Sequence, residues 1–256
     1  MNQSLPRISI ITVCFNAEKY LERTIQSIIT QTYPHIEYLI IDGQSKDGTL
    51  DIIKKYEANI DQWISEPDKG LYDAMNKGME LAKGDFVWFM NAGDEIRTPE
   101  VLTDMFAKET DGDVYYGETE FLDLERNPLG IRSKATPHRL PEQLHWKDMQ
   151  QGMVVCHQSI LVRKSIAEPY DYEQHPYSAD IDWVIKVLKR SKKTINAHQI
   201  LAIYLQGGFS RKHLKASLKD RYQILKKHYG LWTTLKNHVL IVLRSVWFIL
   251  KRGKGY

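Results

Sequence analysis

Ile8-Ser9-Ile10-Ile11-Thr12-Val13 is a short, β-branched and almost wholly apolar run, the pattern of a strand buried on both faces. On its carboxyl side Asn16 stands where a helix N-cap is expected, and Tyr20, Leu21, Thr24, Ile25, Ile28 and Ile29 recur at helical spacing. Pro34 ends that helix before a second apolar strand, Ile36 to Ile41. The turn-forming stretch Asp42-Gly-Gln-Ser-Lys-Asp-Gly-Thr49 then opens a helix at about Thr49. A third strand is expected near Ile60 to Ser65, a helix from Leu71 to Lys83, and a fourth strand from Asp85 to Met90. Alternating strands and helices build a parallel sheet covered by helices, and such sheets bind ligands beyond the carboxyl ends of their strands. The polar clusters at Asn16, Asp42, Asp68 and Asn91 to Asp94 should therefore meet on one rim.

Beyond Pro99 the pattern loosens. Helix and strand signals mix from Val101 to Thr119, and Pro128 to Pro141 reads as loop. Gly152 to Val162 has strand character, Asp180 to Arg190 is helical, and Thr194 to Leu205 is one strand or two. Helices are expected over Leu214 to Tyr229 and Leu231 to Leu250, separated at Gly230. The reading is a mixed α/β domain over residues 1–210 with a basic, amphipathic helical tail over 211–256.

Composition bounds the function. With 256 residues, 43% of them apolar, the chain can bury a good-sized core, and two cysteines exclude a disulfide scaffold. Unpaired thiols and a polar Met1 to Arg7 segment lead to the expectation of a cytoplasmic protein without a signal peptide. From Arg211 onward there are twelve Lys or Arg against one acid, +11, whereas the rest of the chain carries −8. Such a tail is either a solvated, packed-back helix or an anchor on an anionic membrane leaflet. Without a recognised module, nucleic-acid binding is not expected.

Individual residues leave alternatives. Asn16 and Asp47 suit helix caps. Asp94 leaves an apolar strand in a turn of small residues, so it fits either a capped turn or a site for a hard divalent cation beside a diphosphate. Gly207-Gly-Phe-Ser-Arg-Lys212 offers backbone amides and the cations Arg211 and Lys212 to an anion, or is a solvated turn.

Four segments stand together: Thr12-Val-Cys-Phe-Asn16, Ile40-Ile-Asp-Gly-Gln-Ser-Lys-Asp-Gly-Thr49, Asp68-Lys-Gly-Leu-Tyr-Asp-Ala-Met-Asn-Lys-Gly78 and Asn91-Ala-Gly-Asp94. In this order and spacing they resemble the family 2 glycosyltransferases, inverting nucleotide-sugar enzymes of the GT-A fold. The resemblance implies a nucleotide pocket lined by Thr12 and Asn16, with Asp42 on the base. It places Asp68 near the nucleotide, Lys69 near its phosphates and Asn76 in the same motif. Asp94 becomes the ligand of Mn²⁺ or Mg²⁺, although Asn91 and Gly93 stand where the commoner motif has aspartates.

On the acceptor side, Cys156-His157-Gln158 resembles a His-Gln element near the donor sugar. Ser178-Ala-Asp-Ile-Asp-Trp183 resembles the segment bearing the catalytic base. The match favours Asp180 as base over its rival Asp182; two residues apart on a helix, only one of them can face the pocket. The expected activity is transfer from a nucleotide-diphospho-sugar, a UDP-sugar above others, to a polyprenyl-linked or saccharide acceptor. Surface polysaccharide synthesis at the inner face of the cytoplasmic membrane is the implied setting. A nucleotidyltransferase of similar topology and an inactive sugar-nucleotide-binding module are the rival readings.

Overall fold

The expected first strand forms over Ile8–Cys14 (β1) and becomes the axis of the sheet. The computed structural model describes residues 5–207 and 213–252, apart from the side chains at 249 and 252. Helix α1 (Leu21–Ile29) leads to β2 (Ile36–Asp42), α2 (Thr49–Lys55) to β3 (Gln62–Ser65), and α3 (Leu71–Leu81) to β4 (Phe86–Phe89). All four strands run parallel, in the order β3-β2-β1-β4. Residues alternate between faces along β1: Ile11 and Val13 pack under α3, and Ile8 and Ile10 pack under α1.

The second half extends this sheet with mixed directions. After β5 (Glu95–Ile96) and α4 (Val101–Lys108) come β6 (Val114–Leu122) and β7 (Pro128–Ile131). A helical turn α5 (Arg132–Ala135) precedes β8 (Ile160–Arg163), α6 (Ala179–Arg190) and one long β9 (Thr194–Leu205). Strand β8 lies antiparallel between β4 and β6, and β9 lies parallel to β6. Two sequence expectations are corrected here. The segment expected as loop contains β7 and α5; the hairpin into β7 is closed by Asp123, which accepts from the Asn127 backbone at 2.7 Å and from its side chain at 2.9 Å. Strand β7 is an exposed edge, so it carries no apolar pattern to read. Conversely, the strand expected from Gly152 begins only at Ile160, because the carbonyls of Met153 and Val154 accept from the Arg132 guanidinium instead of a neighbouring strand.

Only one end of the parallel strands is free for a ligand. At the amino end, buried Glu37 accepts from Ser9 Oγ at 2.5 Å and the Lys83 backbone at 2.7 Å, and pairs with Arg7 at 3.2 Å. The Gly84 N–H closes the set on Ser9 Oγ at 2.8 Å.

The basic C-terminal stretch folds as α7 (Leu214–Tyr229) and α8 (Leu231–Arg252), divided at Gly230 as expected. Helix α7 packs on α6: Ile224 joins the core that holds Val184 and Leu188, and Asp182 binds its cations. Asp182 is 1% exposed. His228 Nε2 lies 2.8 Å from it, Lys186 Nζ 2.6 Å and Lys227 Nζ 3.5 Å. Those hydrogen bonds and charges outweigh burial and hold the carboxyl well below the usual carboxylate range. Replacing Asp182 by Ala leaves buried donors and charges unpaired and is expected to lower folding stability by about 3 kcal/mol in denaturant titration. The folded-state value is depressed, so the parent's advantage over Asp182→Asn should be full above about pH 4 and shrink below it.

Candidate functional site

The carboxyl ends of β1 and β2 are laced into one surface by their exit loops. Asn16 sits at φ 48°, in the left-handed region that asparagine tolerates. Its N–H donates to Ser45 Oγ at 2.8 Å, and its Oδ1 accepts from the Lys46 N–H at 2.8 Å. Asn16 is therefore a loop clamp, not a helix N-cap; α1 starts only at Leu21. Asp47 stands one residue before the N-cap, Gly48, and turns the chain into α2 by accepting from the Thr49 backbone at 3.0 Å and its hydroxyl at 2.5 Å.

Asp42 is wholly buried at the tip of β2. Its oxygens accept from Ser45 Oγ at 2.5 Å, the Ser45 N–H at 3.0 Å and Ser65 Oγ at 2.6 Å. It thereby fixes the shape of the loop that follows. Next to it, Gly43 leaves room for Asp68: a Cβ there would stand 2.4 Å from Asp68 Oδ2. Asp68 also accepts from the Gly70 N–H at 2.8 Å, which turns the chain into α3. Lys69 is exposed beside it, with its N–H on Asp73 at 2.9 Å.

Two residues expected to bind the donor are committed elsewhere. Thr12 is fully buried, donates to the Met90 carbonyl at 2.8 Å and meets Tyr38 Oη at 3.1 Å. Asn76 holds the Tyr170 backbone at both ends of its amide, at 3.0 and 2.7 Å. Both tie the walls of the site together through these bonds. Arg211 lies outside the described residues.

Beyond β4, the Asn91–Asp94 turn is gripped by Thr24 of α1, whose hydroxyl donates to the Asp94 carbonyl at 2.7 Å and accepts from the Gly93 N–H at 3.0 Å. Burial pushes the Asp94 carboxyl up to about 8, against hydrogen bonds from the Gln158 side chain and the Leu205 N–H. Nearby Asn91 Oδ1 is buried without a hydrogen-bond partner. A desolvated carboxylate beside an orphaned amide oxygen is a donor set that suits a hard divalent cation. Among the described residues no three His, Cys, Asp or Glu side chains form a group that could by itself hold a metal ion, so such a cation would draw its other ligands from a bound diphosphate or water.

Across the rim, His157 and Gln158 occupy a 3₁₀ turn before β8. Gln158 thus links to Asp94. His157 is buried, its Nε2 lies 2.6 Å from Tyr170 Oη, and burial pushes its imidazole down to about 4. It is neutral and belongs to an aromatic wall: Tyr170 stacks on Trp183 at 5.0 Å and on Tyr72 at 5.6 Å. That wall backs Asp180. Tyr72 Oη donates to Asp180 Oδ1 at 3.1 Å, and the Asp180 carboxyl remains partly exposed.

The choice between the two aspartates of α6 is thus geometric. Asp180 faces Tyr72 and His157 on the site side, whereas Asp182 faces α7 and is sealed there. Asp182 is not a free carboxylate of the first turn of α6: it binds Lys186 of the same helix and Lys227 of α7. Tyr72 and Tyr170 were not singled out in the sequence, although Tyr72 lies inside the Asp68–Gly78 motif and its place in the first turn of α3 aims it at the rim.

The family model "Glycosyl transferase family 2" matches residues 9–170. A PGL/p-HBAD biosynthesis glycosyltransferase of Mycobacterium tuberculosis is 30% identical over 213 residues, 80% of this chain and 79% of that protein. An uncharacterized glycosyltransferase of the same species is 41% identical over 100 residues, and a putative teichuronic acid biosynthesis glycosyltransferase, TuaG of Bacillus subtilis, 40% over 94. Those two matches cover 39% and 35% of this chain, and only 38% and 37% of the relatives' own lengths. Among solved structures, residues 1–349 of S. aureus TarS in complex with UDP-GlcNAc superpose with a TM-score of 0.65 at 16% identity, over 91% of this chain and 72% of that one. A mannosyltransferase from Pyrobaculum calidifontis in complex with GDP-Man and Mn²⁺ gives 0.58 at 14%, over 98% and 77%. The fold is the GT-A type expected, and this chain belongs to glycosyl transferase family 2.

Proposed function

We propose that this glycosyltransferase moves a sugar, with inversion, from a nucleoside-diphospho-sugar to a hydroxyl of a lipid-linked or growing surface polysaccharide. The observation that carries the reading is the Tyr72–Asp180 pair: a partly exposed carboxylate held by one phenol, across the rim from the Asp94–Gln158 pair. An inverting transfer needs one base on the acceptor side and charge compensation on the leaving-group side, and these two pairs supply them.

In this reading the acceptor hydroxyl hydrogen-bonds the free oxygen of Asp180. Its oxygen attacks the anomeric carbon on the face opposite the departing diphosphate, and Asp180 takes the proton. Tyr72 keeps its own proton, because burial and the Asp180 charge push its phenol well up; it orients the base without competing for the role. His157 is neutral and anchors the wall through Tyr170. Asp94 and Asn91 would hold Mn²⁺ or Mg²⁺, which as a Lewis acid compensates charge developing on the diphosphate. Exposed Lys69 adds a second positive charge on that side. The loop shaped by Asp42 and clamped by Asn16 frames the base, with Asp68 against Gly43. A UDP-sugar is the favoured donor; UDP-GlcNAc bound to TarS and the teichuronic acid biosynthesis named for TuaG support the class.

A membrane face fits the same reading. No described helix is long and apolar enough to cross a membrane. Helix α8 instead has two sides. Thr234 and Asn237 are buried, with Asn237 Nδ2 3.3 Å from Gln150 Oε1. On its outer side Trp232 is 81% exposed, and Val239, Val242, Val246, Trp247 and Leu250 follow at helical intervals. The packed-back helix and the in-plane anchor are therefore compatible: one side docks, the other offers apolar surface flanked by Lys236 and Lys251 to an anionic leaflet.

Asp180→Asn should leave nucleotide affinity intact and lower turnover roughly 10²-fold or more, read as nucleoside diphosphate released with acceptor present. Undiminished turnover would place the base elsewhere. Asp94→Ala, or chelation with EDTA, should remove the extra thermal stabilisation that Mn²⁺ gives to UDP or GDP binding; a metal effect equal to the parent's rejects the cation site. Trp232→Ser with Trp247→Ser should release the protein from anionic vesicles in sedimentation, most clearly at high salt, without altering its melt.

A further inference from the structure

Three arginines from distant parts of the chain converge beside the acceptor side of the site, and none of the carboxylates among the described residues pairs with them. Arg132 of α5 is 7% exposed and holds the carbonyls of Met153 and Val154. Arg244 of α8 grips the same segment from its other end, donating from Nη1 to Gln151 Oε1 at 2.8 Å and from Nη2 to His138 Nδ1 at 3.0 Å. Arg221 comes from α7. Burial, and after it the charges of all three arginines, drives the His138 imidazole down to about 3. Arg221 also bears on Tyr72, the phenol that holds Asp180.

Two N–H groups in this cluster have no acceptor. Arg221 Nε and Arg244 Nε are both buried and without a hydrogen-bond partner. Guanidinium charge is costly to desolvate, and a native cluster of like charges with orphaned donors is the arrangement expected where an anion completes the set. Neutral His138 adds no charge and serves as acceptor for Arg244. Forked guanidiniums match the oxygens of a phosphate. The position selects the source. The donor diphosphate is assigned to the Asp94 side, whereas the charge of Arg221 reaches Tyr72 and Arg244 belongs to the helix whose outer side is the exposed apolar stripe.

We propose that Arg132, Arg221 and Arg244 form a binding site for the phosphate or diphosphate group of a lipid-linked acceptor, holding it at the level of α8 with its sugar directed toward Asp180. This rests on the glycosyltransferase reading above and adds to it a chemical class of acceptor. The apolar chain of such a molecule would follow α8 outward, and its first sugars would extend inward to the base. No bond is made or broken at the arginines; they neutralise and position.

The probe is inorganic pyrophosphate, titrated with magnesium in excess into the full chain already saturated with UDP or GDP. One equivalent should bind to the nucleotide-loaded protein. Arg221→Gln and Arg244→Gln should each weaken that binding about tenfold or more. Arg221→Lys and Arg244→Lys, which keep the charge and lose the fork, should recover part of it. Unchanged stabilisation by the nucleotide serves as the control for folding, and Arg132 is left alone because it also supports the backbone. Pyrophosphate that competes with the nucleotide assigns the cluster to the donor and overturns the acceptor assignment. So does binding that the Gln variants leave intact, or no binding at all. The parent reading fails separately, if no UDP- or GDP-sugar releases nucleoside diphosphate.

Discussion

A buried carboxylate, Asp182, anchors the two C-terminal helices to the rest of the molecule. Its ion pairs with Lys186 and Lys227 and its bond to His228 are what a basic helix needs to lie against α6. With α7 docked there, the charge of Arg221 is felt at Tyr72, and α8 can reach Gln150, Gln151 and His138. Two residues earlier on the same helix, Asp180 points about 200° away and enters the candidate active site. One helical turn thus joins the chemistry to the element that flanks it.

The neutralisation is uneven by design of the sequence. The chain up to Ser210 carries an excess of acid, and the segment after it an excess of base. Some of that opposition is consumed internally: Asp182 faces Lys227 and His228, Asp171 faces Lys227, and Asp220 meets His175. The arginines at 132, 221 and 244 are excluded from it. Charge in the tail therefore divides into a part neutralised by acids that hold the fold and a part, Arg221 and Arg244, without a carboxylate partner among the described residues.

The first half of the fold was legible because its strands are buried on both faces, which leaves unbroken β-branched runs such as Ile8 to Val13. The second half was less so. Strand β7 is an exposed edge without pattern, and the apolar residues before β8 are buried by an arginine's hold on their carbonyls rather than by pairing. At the site, the motifs located the rim and the turn at Asp94. They did not separate residues that meet a ligand from residues that brace the wall. Thr12 and Asn76 sit within the motifs and bind only protein, because a hydroxyl or amide satisfied by backbone reads the same in sequence as one left free. The divergence of Asp180 and Asp182 followed from helix geometry; which of them turned inward depended on α7, over forty positions away.

Helix α3 carries Tyr72 at its start and Gly78 where it crosses β1 and β2. A Cβ on that glycine would come within 2.4 Å of Ile11 Cγ2 and 3.2 Å of Ile41 Cγ1. The helix therefore rides closer to the sheet than any side chain larger than hydrogen permits. Alanine is the better helix former by about 1 kcal/mol, yet here its methyl would act as a shim. Lifting α3 by a few tenths of an ångström would be transmitted along a stiff rod to Tyr72, and through it to the orientation of Asp180. The thickness of one hydrogen atom in the core, remote from any substrate, thus sets the aim of the candidate base, and selection can adjust turnover from there without altering a single group in the pocket.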